Sequence, residues 1–211
     1  MEKISNYENL CQEWAEKFTQ MDHLRLQRLL PELRREGNVL VLRHFGRGLA
    51  IDRRTGQIAA RDGGPLSWNE RLNVYTLFAY CREGAALTGK WVPFRSVPGA
   101  GAFAPAFDRG VLRPLAATFS GKTEALRRAA AALGGTPLTR SDAGFLLPAF
   151  ACIPMQLLFW DGDDEFPAQA NLLYDAGVTD FIHVESTVTL AGVALTRLAE
   201  AAGLPLARGA F

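Results

Sequence analysis

Four carboxylates fall within five positions where an apolar run ends, in Trp160-Asp161-Gly162-Asp163-Asp164-Glu165-Phe166-Pro167. Like charges this close repel, so their field must be relieved by water, a cation, a basic partner or protonation. Each form of relief has its own chemistry. A metal would use Asp161, Asp163 and Glu165 as oxygen ligands for magnesium or calcium, although the spacing lacks the remaining ligands of a calcium loop. Protonation would leave one carboxyl as a general acid. Water alone makes the segment a solvated turn. His183, between Asp175 and Glu185, could exchange protons or hold a ligand beside this turn, or serve only as a structural histidine.

A second set of groups lies upstream. Trp91, Phe94, Arg95 and Phe103 flank the permissive backbone of Pro98-Gly99-Ala100-Gly101, a combination suited to an anionic or planar ligand. The plainer reading puts the aromatic rings in the core and pairs Arg95 with a surface carboxylate. Joining the two sets gives a candidate ligand site of Trp91, Arg95, Gly99, Gly101, Trp160, Asp163, Asp164, Glu165 and His183. It carries the expectation that the acidic bend faces the glycine and tryptophan segment across one hollow.

Other motifs are weaker. Ala116 followed after four residues by Gly121-Lys122-Thr123 fits the loosest phosphate-loop spacing, but Pro114 interrupts its lead-in and Phe119 fills a position that needs flexibility. An ordinary helix start explains it. Gly99-x-Gly101-x-x-Ala104 lacks the strand that a dinucleotide fingerprint requires. His23, His44 and His183 are too far apart in sequence to define a metal site, and no Ser-His-Asp or HExxH-type spacing is present. Cys152 lies in an apolar run and reads as packing.

Elements must position these groups. Ser5 and Glu8 have capping-box spacing ahead of Leu10, Trp14 and Phe18, and a second helical piece spans Leu24 to Arg35, kinked or restarted at Pro31 and closed by Gly37-Asn38. Val39 to Ile58 reads as a short antiparallel meander. Ser67-x-x-Glu70 opens a helix over that meander, ending before Gly84. Trp91 to Arg95 forms an edge strand, Pro98 to Phe103 a loop, and Val111 to Phe119 and Lys122 to Leu133 helices. Strands at Phe145 to Phe150, Pro154 to Trp160 and Asn171 to Tyr174 surround the acidic turn. Ser186 or Thr187 caps a closing helix that stops at Gly203.

Strands grouped in two clusters between helices predict an α+β fold, a mainly antiparallel sheet covered by helices in a single domain over residues 1–211, with 1–36 as an N-terminal helical appendage. The formal net charge of +1, without a Lys/Arg block, gives no nucleic-acid footprint. Cys11, Cys81 and Cys152 are odd in number and dispersed, which suits a reducing cytoplasm rather than a disulfide framework. The start carries no secretory pattern, and Phe145 to Trp160 is shorter than the roughly 20 residues needed to span a bilayer.

The segment Ile153 to Pro167, with Leu172-Leu173-Tyr174-Asp175 and Glu185, resembles an uncharacterised family of small bacterial and archaeal proteins known only as a domain of unknown function. Trp91 to Arg95, Gly99 and Gly101, and Leu133-Gly134-Gly135 are similar to it too, so the likeness spans most of the chain beyond the first helices. The resemblance implies a cytoplasmic protein of a kind common in anaerobes; some relatives carry a cysteine-rich iron–sulfur segment. Three dispersed cysteines do not supply one here. No activity, cofactor or catalytic residue comes with the resemblance. Three functions stay open: a non-enzymatic ligand-binding or accessory domain for a small molecule or protein partner; a carboxylate-based enzyme, metal-assisted or not; and an oligomeric interaction subunit.

Overall fold

A computed structural model describes residues 6–207. The chain is α+β, and its strands form two antiparallel sheets rather than one. The first half begins with α1 (Asn6–Thr19), which buries Cys11, Ala15 and Phe18 at helical spacing. Ser5, half of the predicted capping box, lies outside the described residues. Next come α2 (His23–Leu29), β1 (Arg34–Glu36), β2 (Val39–His44), β3 (Arg47–Asp52), β4 (Ile58–Ala60) and α3 (Trp68–Tyr80).

The predicted second helix is half right. It is capped by Asp22, whose carboxylate accepts from Leu24 N and Arg25 N, and it stops at Leu29 because the residue before Pro31 cannot stay helical. Arg34 to Glu36 instead pair with Val41 to Val39. Gly37, at φ +60°, therefore turns a hairpin and does not end a helix. The predicted meander is present as a sheet in the order β1-β2-β3-β4. Ser67 and Glu70 form the expected capping box on α3. From that helix Tyr75 donates its hydroxyl to Gly56 O at 2.8 Å, tying α3 to the β3–β4 turn.

The second half contains β5 (Trp91–Pro93), α4 (Ala104–Phe107), α5 (Arg113–Phe119), α6 (Thr123–Ala132), β6 (Thr136–Leu138), β7 (Ala143–Phe150), β8 (Ile153–Trp160), β9 (Gln169–Asp175) and α7 (Val184–Ala202). The second sheet runs β5-β9-β8-β7-β6. Its residues at Phe145, Leu147, Met155, Leu157, Phe159, Leu172 and Tyr174 join the common core with Leu190, Ala194 and Leu198 of α7. Phe18, Leu26, Leu30 and Leu33 enter the same core. Each sheet ends on short strands: β1 is Arg-Arg-Glu, all exposed, while β5 and β6 carry Pro93 and Pro137.

The stretch predicted as a loop at Pro98 to Phe103 turns helical from Gly101 and continues through α4, a π-helical turn at Asp108–Leu112, and α5. Pro105 sits in a first turn, where a missing N–H costs no hydrogen bond. The wide π turn ahead of Pro114 relieves the ring's clash with the carbonyl four residues back. The strand β6 carries no alternation long enough to register in the sequence.

Candidate functional site

The β8–β9 hairpin holds the acidic turn, and two of its four carboxylates are engaged locally. Asp161 Oδ1 accepts from Gly121 N and Gly162 N, both at 2.8 Å, and Oδ2 accepts from the Thr123 hydroxyl at 2.7 Å. Those bonds, Gly121 first, hold its acidity below the usual carboxylate range. Asp163 Oδ1 accepts from Phe166 N at 2.7 Å and Glu165 N at 2.9 Å, which lowers it likewise. Both groups are therefore ionised at neutral pH, the opposite of a general acid. Among the described residues no group of three or more His, Cys, Asp or Glu is placed to hold a metal ion.

The same geometry explains the loose phosphate-loop spacing. Gly121-Lys122-Thr123 opens α6, but helix α5 feeds it, not a strand, and Asp161 already occupies the Gly121 N–H and the Thr123 hydroxyl that a phosphate would use.

The nine sequence-predicted site residues are not brought together, because the acidic turn and Trp91 lie at opposite ends of β9. Trp160 pairs with Gln169 at its first residue, beside exposed Asp163, Asp164 and Glu165. Trp91 pairs with Asp175 at its last residue. Those ends are about 20 Å apart for a seven-residue strand. Near the Trp91 end, a Cβ added to Gly99 would lie 3.6 Å from Val184 Cγ1, and His183 caps α7 by accepting from Glu185 N at 3.3 Å. His183 takes the capping role expected of Ser186 or Thr187, and its ring lies 5.1 Å from that of Tyr80. Gly101 starts the helical turn before α4.

Two of the nine, Asp163 and Arg95, line adjoining cavities. A cavity of about 710 Å³ between α5 and the hairpin is lined by Arg113, Ala116, Gly121, Asp163, Phe166 and Ala170, among others. A second of about 390 Å³ is lined by Pro93, Arg95, Phe107 and Asn171. Asp108, Leu112 and Ala170 belong to both, so the two are continuous from Arg95 to Asp163. The floor is packed: Phe94 and Phe107 stack at 4.1 Å over Tyr174, which is fully buried. Sequence reasoning missed Asp108 and Arg113, an ion pair at 2.7 Å on the groove wall, because their helix begins in a glycine- and proline-rich stretch. The Pro105 and Pro114 positions were the available signal.

The groove's inner wall is a sheet edge. β5 pairs with β9 only from Leu173 to Asp175, whereas β8 pairs with it from Gln169 to Tyr174. Among the described residues, the edge from Gln169 to Leu172 thus has no partner strand on the groove side.

Other polar clusters are structural. A cavity of about 670 Å³ is lined by Arg47, Asp62, Asn69, Glu70 and Arg197. Glu70, 5% exposed, accepts from Arg47 Nη1 at 3.4 Å and Arg197 Nη1 at 3.3 Å, and its second oxygen closes the capping box. Arg47 also grips Asp62, pulling that carboxyl down to about 2. Asn69 Oδ1 is the one buried side-chain atom of this wall without a donor among the described residues. Deeper, burial lowers His44 to about 4, so the ring is neutral. Its Nδ1–H donates to Ala149 O at 2.6 Å, leaving Nε2 to face Asn73 Nδ2 at 3.4 Å, and Thr189 donates to Asn73 Oδ1. This chain ties both sheets to α3 and α7.

Asp175 is 2% exposed. Burial pushes its acidity up, but donors from Thr88, Gly177 and Gly89 outweigh it and the carboxyl stays low. Burial raises all three thiols. No described helix is long and apolar enough to cross a membrane.

Neither the curated proteins nor the solved structures give a match to this chain. One family model does, over residues 25–197, and it takes in both sheets, the groove and the acidic hairpin. The chain belongs to the family described as a domain of unknown function (DUF3786).

Proposed function

We propose that this domain is a non-catalytic accessory module that holds an extended segment of a partner polypeptide in the groove between Arg95 and Asp163. The observation that carries the reading is the open edge of β9 from Gln169 to Leu172, where β5 turns away after Pro93. Unpaired strand N–H and C=O groups are a template for one more strand, and main-chain hydrogen bonds then supply affinity while flanking pockets select side chains. The groove offers both kinds of pocket. Leu112, Ala116 and Phe166 are apolar; Arg95 and Arg113 are basic; Asp108 and Asp163 are acidic.

The engaged state of Asp161 and Asp163 favours recognition over acid–base chemistry, because their oxygens accept backbone bonds in the free protein. The test is selection of random seven-residue peptides displayed on phage against the purified protein, followed by hydrogen exchange on the complexes. Retained peptides should slow exchange at residues 169–172, and Arg95→Glu should weaken them at least about tenfold without changing thermal stability. Protection confined to other segments, or no retained peptide, would sink the reading.

A further inference from the structure

The groove beside β9 has an electrical direction. Arg95 lines it together with Asn171, towards the end of β9 that β5 covers, whereas Asp163 lines it together with Gln169, where β9 begins. Between them Asp108 and Arg113 neutralise each other at 2.7 Å. The charges left to act on an occupant therefore lie at the two ends. Arg95 is exposed and has no ion-pair partner among the described residues. At the other end Asp164 and Glu165 stand exposed beside Asp163, equally without a cation among the described residues.

The strand order adds a direction of travel. β5 pairs Trp91 with Asp175 and Pro93 with Leu173, then leaves the sheet in the helical turn Phe94–Ser96. The row it vacates faces Leu172, Asn171, Ala170 and Gln169 in that order. A strand continuing that row antiparallel to β9, as every pair in this sheet is, starts beside Arg95 and reaches the acidic turn about 10 Å further on.

Resting on the groove reading above, we propose that the partner segment runs antiparallel to β9 and carries an acidic residue at its start, a basic residue three to five positions later, and apolar residues between them. Phe166, 62% exposed on the rim, and Leu112 supply the apolar surface for that middle. Ion pairs at exposed ends are individually weak, so they set direction and register while main-chain pairing supplies affinity. A segment of the opposite charge order would set its base against Arg95 and its acid against Asp163, Asp164 and Glu165. Like charges would then meet at both ends.

Three blocked heptapeptides titrated calorimetrically into the intact protein test this. One is Ser-Glu-Val-Leu-Val-Lys-Ser, the second is its reversal, and the third has Gln in place of both charged residues. The first should bind at least about fivefold tighter than the second, with the third between them, and should slow hydrogen exchange at residues 169–172. Arg95→Glu leaves both ends acidic and should erase the preference, with the affinity of the Gln peptide and the melting curve unchanged. Equal affinities for the two orders, or a tighter reversal, with exchange slowed at residues 169–172 would overturn the charge order and leave the groove reading in place. Failure of all three to bind, or protection only outside that run, would also overturn it. The groove reading itself falls only if the displayed random peptides yield no binder at that edge.

Discussion

Asp161 accepts a hydrogen bond from Thr123 at 2.7 Å, joining the acidic hairpin to the first turn of α6 across 38 residues of chain. With Gly121 N bonded to the other oxygen, this carboxylate ties the turn ahead of α6 to the hairpin. Asp161→Ala should therefore lower stability by about 1 kcal/mol, a modest loss for hydrogen bonds to a carboxylate that is part-exposed. Urea unfolding at pH 7 measures it. The folded-state acidity lies below the ordinary value, so this contribution is complete above the unfolded pKa and fades as pH falls through the folded one.

His44 gives a larger acid response. Its folded pKa of about 4 lies below the ordinary 6.5, so the unfolded chain binds a proton that the native protein refuses. Stability should fall as pH drops from 6.5 towards 4, by on the order of 3 kcal/mol. Glu70 opposes this shift and Arg197 supports it, each from outside direct contact. Urea midpoints at pH 7 and 4.5 report the effect, and His44→Gln should flatten the difference.

Glu70→Gln keeps the acceptor used by Ser67 but removes the charge between Arg47 and Arg197. Because the carboxylate is buried and both guanidinium groups are mostly so, the loss should be about 2–3 kcal/mol in chemical unfolding. A value near zero would show that Asp62 and Glu200 alone hold the two arginines.

Two glycines with the same backbone sign should behave differently. At Gly56, φ +72°, an added Cβ would meet the Ala15 carbonyl oxygen at 2.1 Å, so Gly56→Ala should cost about 3 kcal/mol by forcing α1 outward. At Gly63, φ +76°, nothing lies within 4 Å, and Gly63→Ala should cost only about 1 kcal/mol of backbone strain. Thermal melts of the pair separate collision from conformation.

The thiols should be silent in the native protein. Burial pushes Cys81 up to about 11, with Glu32 adding to it, and raises Cys11 and Cys152 too. A disulfide reagent at pH 8 should react slowly with native protein and titrate three equivalents after unfolding.

Sequence reading recovered what local periodicity encodes. The meander, the Ser67–Glu70 box, the edge strand at Trp91 and the hairpin around the acidic turn depend on neighbours in sequence. Where the reading failed, a short signal competed with a stronger one. Arg34 to Glu36 form a strand only because Gly37 folds them back on β2, and the helix through Asp108 hides behind glycines and prolines. The candidate site was partly legible for the same reason. Arg95 and Asp163 were identified by type, but that they line a continuous groove depends on pairing along β9, which no spacing in the chain reveals.

The short outer strands have a consequence for behaviour at high concentration. Arg34, Arg35 and Glu36 make one sheet margin electrostatically unwelcoming, and Pro93 and Pro137 each deny a donor to any chain that approaches the other sheet from its two sides. Two runs stay open: β4 at the far margin of the first sheet, and Gln169 to Leu172, which lies recessed beside α5. Edge-to-edge addition of further copies is thereby hindered at three of the four sheet margins.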